Sequence, residues 1–478
     1  MSDSDRTSDQ RDEAGSAGRR YRSIGTSRRR FLAAGATATA LSLAGCLGGS
    51  DGQDTADGGG NGDGGGSGDG GGNGDESENG NDDTATPGDG AGTTATTAGD
   101  APDEVVIGAI HPLTGGTSYT GTRCYQAIDL AATVATENGG IESMGGAEVT
   151  VLNRDHANDP SRAGEAVREL ADEGADILTG TYSSGVTSAV ATAAERQGIP
   201  FVIDVSTAAS ILQEREFEYV YRTQPNSREM ARNTVTHTLA GAQAAGFEPE
   251  TVGLFYIDTT YGQSISEGLR TAVEEAGLEL VREETIGFGE TADTQVTSLR
   301  EADPDILFPT VFPQQFMGLI GSMKDQDYWP PVFSGAASAG FTAENFQEIG
   351  DVIEGSLSTG FRLDRSEERV RQLSQRFAGE YDTAPMASNQ GMSYATAQVM
   401  VAAFEQAGTT DPEALNTALG ELTVSDHVMA MPPITFREDG ENANALATTA
   451  QVQDLEIATV YPEEFAAAEV NADTLVSN

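Results

Sequence analysis

The sequence predicts an α/β fold with doubly wound, mainly parallel sheets. From Glu104 onward, short apolar runs typical of buried strands alternate with stretches of helical spacing. This alternation favours parallel strands joined by helices on both faces of a sheet. The pattern begins again after Pro225, and 478 residues with 37% apolar content are enough for two folded domains.

The first cycle consists of apolar runs, which predict strands, and Ala-, Val- and Leu-rich stretches, which predict helices. In chain order the predicted elements are strand 105–110, helix 122–138, strand 149–152, helix 161–173, strand 176–178, helix 186–197 and strand 201–203. Four of the strand ends are short, polar and rich in small residues, at 115–119, 155–160, 183–184 and 205–208. Because ligands of such sheets bind at the carboxyl ends of the strands, we expect these four ends to converge on a binding site.

The turn that opens the helix predicted from Val186 is rich in hydroxyl groups. It contains Ser183 and Ser184. A helix N-terminus leaves backbone N–H groups unpaired and carries roughly half a positive charge, so this turn can hold a small anion such as a carboxylate. The alternative is that the two serines only cap the helix.

The second cycle repeats the pattern after residue 225. It predicts helices at 228–245 and 264–276 and strands at 252–256, 278–282 and 306–308. Tyr261 and Phe312 follow the first and last of these strands, where aromatic side chains can form an apolar wall for a ligand. Core packing is the alternative for both.

Residues 1–45 have the form of an export signal. Arg28, Arg29 and Arg30 precede the small-residue apolar run 33–44, as in twin-arginine signals, and this run is too short to span a bilayer. The run ends at Cys46 in a sequence that resembles a lipobox. We therefore expect lipidation of Cys46 and anchoring at the outer face of the cytoplasmic membrane.

Residues 46–103 form a predicted tether. The stretch is nearly all Gly, Asp, Asn, Ser and Thr and has no apolar face to bury, so we expect it to be disordered. A flexible coil of about 55 residues spans roughly 40 Å. With Cys46 committed to lipid, Cys124 is the only other cysteine, so we expect no disulfide and a buried Cys124.

The charge balance is strongly acidic, with 75 acidic against 27 basic residues and a net charge of −48. Such a chain repels nucleic acid, so a nucleic-acid partner is not expected. The repulsion is largely screened at molar salt, where the Debye length is about 3 Å. The composition therefore indicates a protein of a halophile, although an acidic linker on an ordinary secreted protein is the alternative.

Eight short motifs occur in order along the folded part. They are Ile107-Gly108-Ala109 with Pro112-Leu113-Thr114-Gly115, Glu137-Asn138-Gly139-Gly140-Ile141, Asp155 with Asp159-Pro160, Ala208, Tyr221-Arg222-Thr223, Asp258 with Tyr261-Gly262, Glu354-Gly355, and Pro433-Ile434-Thr435-Phe436 with Gly440. In this order, across 104–462, the chain resembles type I periplasmic binding proteins of the branched-chain amino acid (Leu/Ile/Val) class. These are substrate-binding receptors of ABC transporters, so the resemblance implies an amino acid transport lipoprotein, here of a halophilic archaeon, with an ABC permease as partner and no cofactor or metal.

The resemblance also implies two lobes that close on a ligand about a hinge, the Venus-flytrap architecture. The expected division is 104–225 plus 361–430 for lobe 1 and 226–360 plus 431–465 for lobe 2. Three hinge crossovers are expected near 222–228, 357–363 and 428–434.

Carried onto this chain, the family site implies specific contacts to a bound amino acid. Ser184 matches the serine that holds the carboxylate, Thr207 matches a threonine near the amine, and Val205 offers a backbone carbonyl. Tyr119, Tyr261 and Phe312 match aromatic residues of the cleft. The full set of expected ligand-binding residues is Tyr119, Ser183, Ser184, Val205, Ser206, Thr207, Tyr261, Phe312 and Ala336.

Ala336 stands where amino acid binders of the family have a glutamate that pairs with the ligand ammonium. A buried ammonium without a counter-charge is costly by several kcal/mol. Either Asp204 or Asp258 replaces that glutamate, or the ligand is not a free α-amino acid. Short amides, urea and aromatic acids are the alternative ligands.

An exported hydrolase and a ligand sensor for a signalling partner are the alternative functions. The sequence contains no Gly-x-Ser-x-Gly, His-Glu-x-x-His or Cys-x-x-Cys motif, so we expect no enzymatic activity. His111 and His156 are expected near the cleft rim, where surface hydrogen bonding is favoured over a catalytic pair.

Overall fold

The computed structural model describes residues 102–213, 216–337 and 340–477. The predicted export signal, Cys46 and all but the last two residues of the predicted tether lie outside the described residues. The described chain forms a five-stranded and a seven-stranded sheet, each flanked by helices.

The first sheet is entirely parallel and has the strand order β2-β1-β3-β4-β5. Its strands are β1 (Glu104–His111), β2 (Glu148–Asp155), β3 (Ile177–Gly180), β4 (Phe201–Ile203) and β5 (Val220–Arg222). The helices between them are α1 (Ser118–Glu137), α2 (Pro160–Asp172), α3 (Ser184–Gln197) and the short α4 (Ser210–Gln213).

The second sheet has the order β12-β11-β10-β9-β8-β6-β7 and is parallel from β7 to β10. Its strands are β6 (Thr251–Ile257), β7 (Glu279–Ile286), β8 (Ile306–Thr310), β9 (Val332–Ala336), β10 (Leu357–Gly360), β11 (Thr448–Gln453) and β12 (Glu456–Tyr461). Its helices are α5 (Ser227–Ala244), α6 (Thr260–Glu275), α7 (Asp293–Ala302), α8 (Pro313–Asp325) and α9 (Ala343–Ile349).

After β10 the chain returns to the first sheet. It forms α10 (Glu368–Tyr381), α11 (Ser388–Ala407) and α12 (Pro412–Glu421), and α11 packs along α1. The remaining short elements are 3-10 helices at Glu142–Met144, Asp351–Ile353 and Glu463–Phe465 and the helix α13 (Ala472–Leu475). None of the described helices combines the length and apolar character that crossing a membrane requires.

Apolar cores lie on both faces of the first sheet because side chains alternate along each strand. Ile107 of β1 packs in a cluster with residues of α1 and α11, whereas Ile110 packs with residues of α2 and α3. Cys124 of α1 is fully buried in the first of these clusters, as expected, and its burial raises the pKa of the thiol. Helices on both faces confirm the predicted doubly wound α/β fold.

The predicted strands and helices all occur, with shifts at their ends. The largest shifts are of four residues: α1 and α6 begin four residues before the predicted start, and β7 ends four residues after the predicted end. The antiparallel hairpin of β11 and β12 was not predicted. The short strands β5, β9 and β10 were not among the predicted strands either. β11 carries Thr or Gln at four of its six positions, whereas β12 is rich in β-branched and aromatic residues and offered a usable strand signal.

The chain passes from one sheet to the other three times, first between β5 and α5 and then after β10. The third passage lies later than the expected 428–434, because Glu441 still pairs with Arg222 at the edge of the first sheet. It therefore falls between residue 442 and the start of β11. The exact division into lobes remains a prediction.

Candidate ligand-binding site

A pocket lies where strands of both sheets end. Strand connections reverse direction between β1 and β3 in the first sheet and between β6 and β8 in the second. Such switch points leave a crevice at the carboxyl ends of parallel strands. Residues that directly follow β3, β6 and β8 line the pocket, so both sheets form its walls.

The pocket is lined mainly by aromatic side chains, with a smaller number of polar ones. Its cavity volume is about 90 Å³. A cavity needs about 10–15 Å³ to hold one water, so this pocket has room for a ligand larger than water. The aromatic residues are Tyr182, Tyr261, Phe312, Phe341 and Phe361. The polar residues of the lining include Ser184, Thr207, Ser358, Arg362, Ser388 and Asn389.

The first polar group of the pocket is at the N-terminus of α3. Ser184 is the first residue of the helix, is nearly fully buried, and lines the pocket. Its Oγ accepts a hydrogen bond from the backbone N–H of Ala208 at 3.4 Å. Ser183 occupies the N-cap position but its side chain makes no capping hydrogen bond. Capping alone therefore does not account for the two serines.

The turn before α3 has an unusual backbone. Gly180 has φ +126°, and Tyr182 has φ 69°, which is rare for a residue with a side chain. A Cβ atom at Gly180 would lie 2.1 Å from the carbonyl oxygen of Ile110 in β1. Gly180 thus permits close pairing of β1 with β3. The left-handed conformation of Tyr182, two residues later, sets the direction of the turn.

A buried arginine, Arg222, holds the segment that carries Thr207, another polar residue of the pocket lining. Arg222 donates through Nη1 to the carbonyl oxygen of Thr207 and through Nη2 to that of Ala208, both at 2.9 Å. Its Nε lies 3.6 Å from the carboxylate of Glu441, and both side chains are almost completely buried. Thr207 Oγ1 itself is buried without a hydrogen-bond partner, which leaves it free for a ligand.

Aromatic rings from both sheets meet at Phe312. Its ring centroid lies 5.3 Å from that of Tyr261 and 6.0 Å from that of Tyr182. Tyr261 donates its hydroxyl to the carbonyl oxygen of Ala337, and burial raises the pKa of that hydroxyl. A flat or branched apolar group would be in contact with rings of both sheets here.

The second polar group is centred on Arg362, which follows β10. Nη1 donates to Ser388 Oγ at 3.0 Å, and Nη2 donates to Ser358 Oγ at 2.9 Å and to the Ser358 carbonyl oxygen at 3.0 Å. Nε is buried and has no partner. Burial, followed by the nearby charge of Arg365, lowers the pKa of Arg362 to about 10, so the guanidinium is still protonated at pH 7.

Five of the expected ligand-binding residues line this pocket. They are Ser184, Val205, Thr207, Tyr261 and Phe312. Among the described residues, Ser183, Ser206, Tyr119 and Ala336 are not part of its lining. Ser206 is buried and its Oγ bonds to Thr187 Oγ1, and Ala336 is fully buried in β9 while the next residue, Ala337, lines the pocket.

Tyr119 lies in an adjoining groove instead. Its side chain is 63% exposed on α1, and its hydroxyl accepts a hydrogen bond from Arg123 at 3.1 Å. Arg123 and Arg365 border the same groove, which shares Arg362 with the pocket. Tyr119 is therefore close to the pocket but outside it.

The two carboxylates considered as replacements for the missing glutamate do not line the pocket. Asp204 is fully buried. It accepts a hydrogen bond from Ser393 Oγ at 2.7 Å, and the same carboxylate oxygen lies 2.9 Å from His111 Nε2. Asp258 is exposed and accepts a hydrogen bond from Gln263 Nε2 at 2.7 Å. Both are engaged elsewhere, so neither is placed to pair with a ligand ammonium.

His111 and His156 lie at the ends of β1 and β2, but the surface role considered for them is wrong. Both are fully buried beneath the first sheet's strand ends. Nε2 of His156 lies 3.1 Å from the carbonyl oxygen of Thr181, and burial lowers the pKa of this histidine to about 4. They hold strand ends together rather than face a ligand. No group of three or more His, Cys, Asp or Glu residues in the described part of the chain could hold a metal ion.

Sequence reasoning missed several lining residues, including Tyr182, Met230, Phe341 and Arg362. Tyr182 is within the serine turn, so its position next to two candidates was a usable signal. Ser388 and Asn389 begin α11 shortly after Pro385, which is a recognisable helix start. Arg362 lies in a polar stretch after a short strand and carries no local signal.

Comparisons with known proteins agree with this architecture. A family model described as periplasmic binding protein matches residues 104–455. The Leu/Ile/Val-binding protein homolog 8 of Brucella suis biovar 1 is 26% identical over 380 residues, which cover 77% of this chain and 93% of the relative.

Solved structures show the same fold. A leucine-binding protein of Thermotoga maritima is 19% identical with a TM-score of 0.63, over 74% of this chain and 97% of that one. A solute-binding protein of R. palustris in complex with benzoate is 17% identical with a TM-score of 0.64, over 77% of this chain and 98% of that one. The expected family is thereby confirmed, and the chain belongs to the type I periplasmic binding proteins.

Proposed function

We propose that this protein is the extracytoplasmic substrate-binding receptor of an ABC importer. It captures a small organic ligand between its two lobes and delivers it to the membrane permease. The observation that carries the proposal is the pocket whose walls come from the strand ends of both sheets. A ligand in such a pocket stabilises the closed arrangement of the lobes, which a permease can recognise.

The relatives provide the first candidate ligands. Those in Brucella are named for leucine, isoleucine and valine, and one solved structure of the same fold holds benzoate. Leucine and benzoate each combine a carboxylate with an apolar body, which the polar and aromatic lining of the pocket can contact. A branched-chain amino acid is therefore the reference ligand, and a short amide, urea or an aromatic acid is the alternative.

Ligand closure involves residues on both lobes in this proposal. Ser184 and Thr207 belong to turns of the first sheet, and Tyr261 and Phe312 follow strands of the second. In the open form a ligand binds Ser184 and Thr207 weakly. It gains its contacts with Tyr261 and Phe312 only when the lobes close. Lobe 1 comprises 104–225 and 361–430, and lobe 2 comprises 226–360 and 431–465. Because Glu441 pairs with Arg222, we assign 431–442 to lobe 1 instead of lobe 2.

Export and anchoring complete the proposal. The twin-arginine motif favours export of the folded protein, and lipid at Cys46 then holds it at the cell surface, with the predicted tether between the anchor and the receptor. Mass spectrometry of the mature N-terminus checks this: lipid on Cys46 is expected, and an unmodified N-terminus upstream of residue 46 would contradict it.

The receptor function is tested by thermal unfolding and by lobe closure. The purified protein in molar potassium chloride is heated with free amino acids, short amides, urea, aromatic acids and aliphatic acids. A ligand at a hundred times its dissociation constant adds about 2.7 kcal/mol to the free energy of unfolding. Small-angle scattering with the same ligand is expected to show a more compact particle. Failure of every class to change either quantity would contradict the receptor function, and turnover of a chromogenic ester would favour a hydrolase.

Substituting Ser184 by alanine is expected to weaken ligand binding. For an amino acid whose carboxylate binds Ser184, the lost hydrogen bond contributes about 1.5–3 kcal/mol, so the dissociation constant should rise by about 10- to 150-fold. Calorimetric titration measures it. Ser183→Ala is the matched control, because Ser183 is adjacent, makes no capping bond and does not line the pocket. Equal affinity of the Ser184→Ala variant and the wild type would remove Ser184 from the site.

We expect the fold to depend on salt if the protein comes from a halophile. With 75 acidic against 27 basic residues, dilution from molar to about 0.1 M salt lengthens the Debye length from about 3 to about 10 Å. The unscreened repulsion should lower the melting temperature, which circular dichroism measures across a potassium chloride series. A melting temperature that is independent of salt would exclude the halophilic origin.

A further inference from the structure

The charge of the pocket is opposite to that of the protein. The whole chain carries a net charge of −48, yet the described side chains that line the pocket include one arginine and no aspartate or glutamate. Arg362 provides that single positive charge. The site has therefore no acidic partner for a cationic ligand group.

The guanidinium of Arg362 is not neutralised by the protein. Its hydrogen bonds go to Ser388 Oγ and to the hydroxyl and carbonyl oxygens of Ser358, which are all uncharged. Within the described residues no carboxylate lies within ion-pair distance of it, in contrast to arginines such as Arg222, which faces Glu441. Nε is buried and has no hydrogen-bond partner. A partly buried cation of this kind is stabilised when a ligand supplies the anion.

The surroundings of Arg362 add to the positive potential. Ser388 is the first residue of α11, a helix with no acidic residue in its first turn, and Asn389 follows it in the pocket lining. The N-terminus of that helix carries roughly half a positive charge. Phe341 and Phe361 line the same part of the pocket, so an apolar group is accommodated beside the charge.

We propose that the ligand of this pocket is a small organic acid with an apolar body and no ammonium group, whose carboxylate binds Arg362. The inference rests on the proposed receptor function and specifies its ligand class. An α-amino acid would bring an ammonium into a pocket whose described lining has no carboxylate to pair with it and already contains the cation of Arg362. An acid without the ammonium neutralises Arg362 and places its apolar body against the stacked rings of Tyr261 and Phe312.

The test uses compounds that differ in one charged group. L-Leucine, 4-methylpentanoate and 4-methylpentanamide share one carbon skeleton, and benzoate and benzamide share another. Calorimetric titration in molar potassium chloride is expected to show 4-methylpentanoate binding about 100-fold or more tightly than leucine, because leucine carries an unpaired ammonium. Each acid is expected to bind about 10- to 100-fold more tightly than its amide.

Substitution of Arg362 ties this preference to one side chain. Arg362→Gln should lower affinity for the preferred acid about 10- to 100-fold and leave affinity for the amide unchanged. Arg362→Lys should restore part of the loss, because it keeps the charge without the planar fork. Arg365→Gln is the matched control: Arg365 borders the adjoining groove and donates to the carbonyl oxygen of Met386. The ligand comparison on the wild type remains decisive even where a variant fails to fold.

The outcomes separate the ligand class from the receptor function. If leucine binds as tightly as 4-methylpentanoate, or an amide as tightly as its acid, the proposed ligand class is wrong and the receptor function stands. If acids bind but Arg362→Gln retains full affinity and full preference over the amide, the assignment of Arg362 is wrong. If neither these compounds nor the broader set used to test the receptor function binds, both proposals fall.

Discussion

Replacing Arg222 by methionine is expected to lower the free energy of unfolding by about 3–5 kcal/mol, since it leaves a buried carboxylate without its counter-charge. Arg222 and Glu441 are almost completely buried and lie 3.6 Å apart at the edge of the first sheet. Burial lowers the pKa of Arg222 and raises that of Glu441, although each is shifted back by the other's charge. In both cases desolvation is the larger effect, so removal of one partner leaves the other group buried without the charge that offsets this cost.

Loss of Arg222 should also affect the binding site. Its two hydrogen bonds at 2.9 Å hold the carbonyl oxygens of Thr207 and Ala208, and the wall that presents Thr207 to the pocket depends on them. Ligand affinity is therefore expected to fall together with stability. Urea unfolding and calorimetric titration measure the two effects.

Two further variants show whether the loss of stability in Arg222→Met comes from the buried charge pair. Arg437→Met is the control, because Arg437 is 40% exposed, pairs with Asp439 at the surface, and should change stability by about 1 kcal/mol or less. The double variant Arg222→Met with Glu441→Leu removes both charges and should recover much of the lost stability. A loss below about 1 kcal/mol for Arg222→Met alone would mean that the buried pair does not stabilise this edge.

Replacing Gly180 by alanine should destabilise the protein by about 3–5 kcal/mol. Backbone strain at a position with φ +126° costs about 1–3 kcal/mol, and overpacking against a neighbouring strand costs a similar amount. The added Cβ would lie 2.1 Å from the Ile110 carbonyl oxygen, which is backbone and cannot rotate away. The strand end that precedes Tyr182 and Ser184 would have to move, so ligand affinity should fall as well.

Gly174 provides the matched control for Gly180. It also has a positive φ, +91°, but a Cβ there would meet no atom within 4 Å. Gly174→Ala should therefore cost only about 1–2 kcal/mol, the penalty for a left-handed conformation. The difference between the two variants in urea unfolding measures the clash alone. Equal losses would show that β1 and β3 can separate without cost.

The sequence predicted the α/β layers well because buried parallel strands are continuous apolar runs. The strands at 105–110 and 252–256 are of this kind, and both occur. The hairpin of β11 and β12 was missed although β12 carries Ile457, Val460 and Tyr461, residue types that favour strands; β11, with Thr or Gln at four of its six positions, gives a weaker signal. The third passage between the sheets was placed too early, since pairing of Glu441 with Arg222 joins segments far apart in sequence.

The sequence predicted those pocket residues that directly follow a strand, because their position at the strand end places them in the site. Ser184, Val205 and Thr207 follow strands of the first sheet and do line the pocket. Ala336 shows the limit of that reasoning, because one residue of register decides whether a side chain faces the pocket, and Ala337 is the residue that does. Arg362 could not be found from the sequence, because its importance comes from the absence of carboxylates on elements that are distant in the chain.

A crystal structure of the protein with 4-methylpentanoate, or with whichever compound of the comparison binds most tightly, tests the central claim most directly. We predict density for the ligand in the pocket between the two sheets, with its carboxylate about 2.7–2.9 Å from the Arg362 guanidinium and its apolar body against Tyr261 and Phe312. Density confined to the adjoining groove beside Tyr119, or a ligand whose carboxylate faces away from Arg362, would contradict the account.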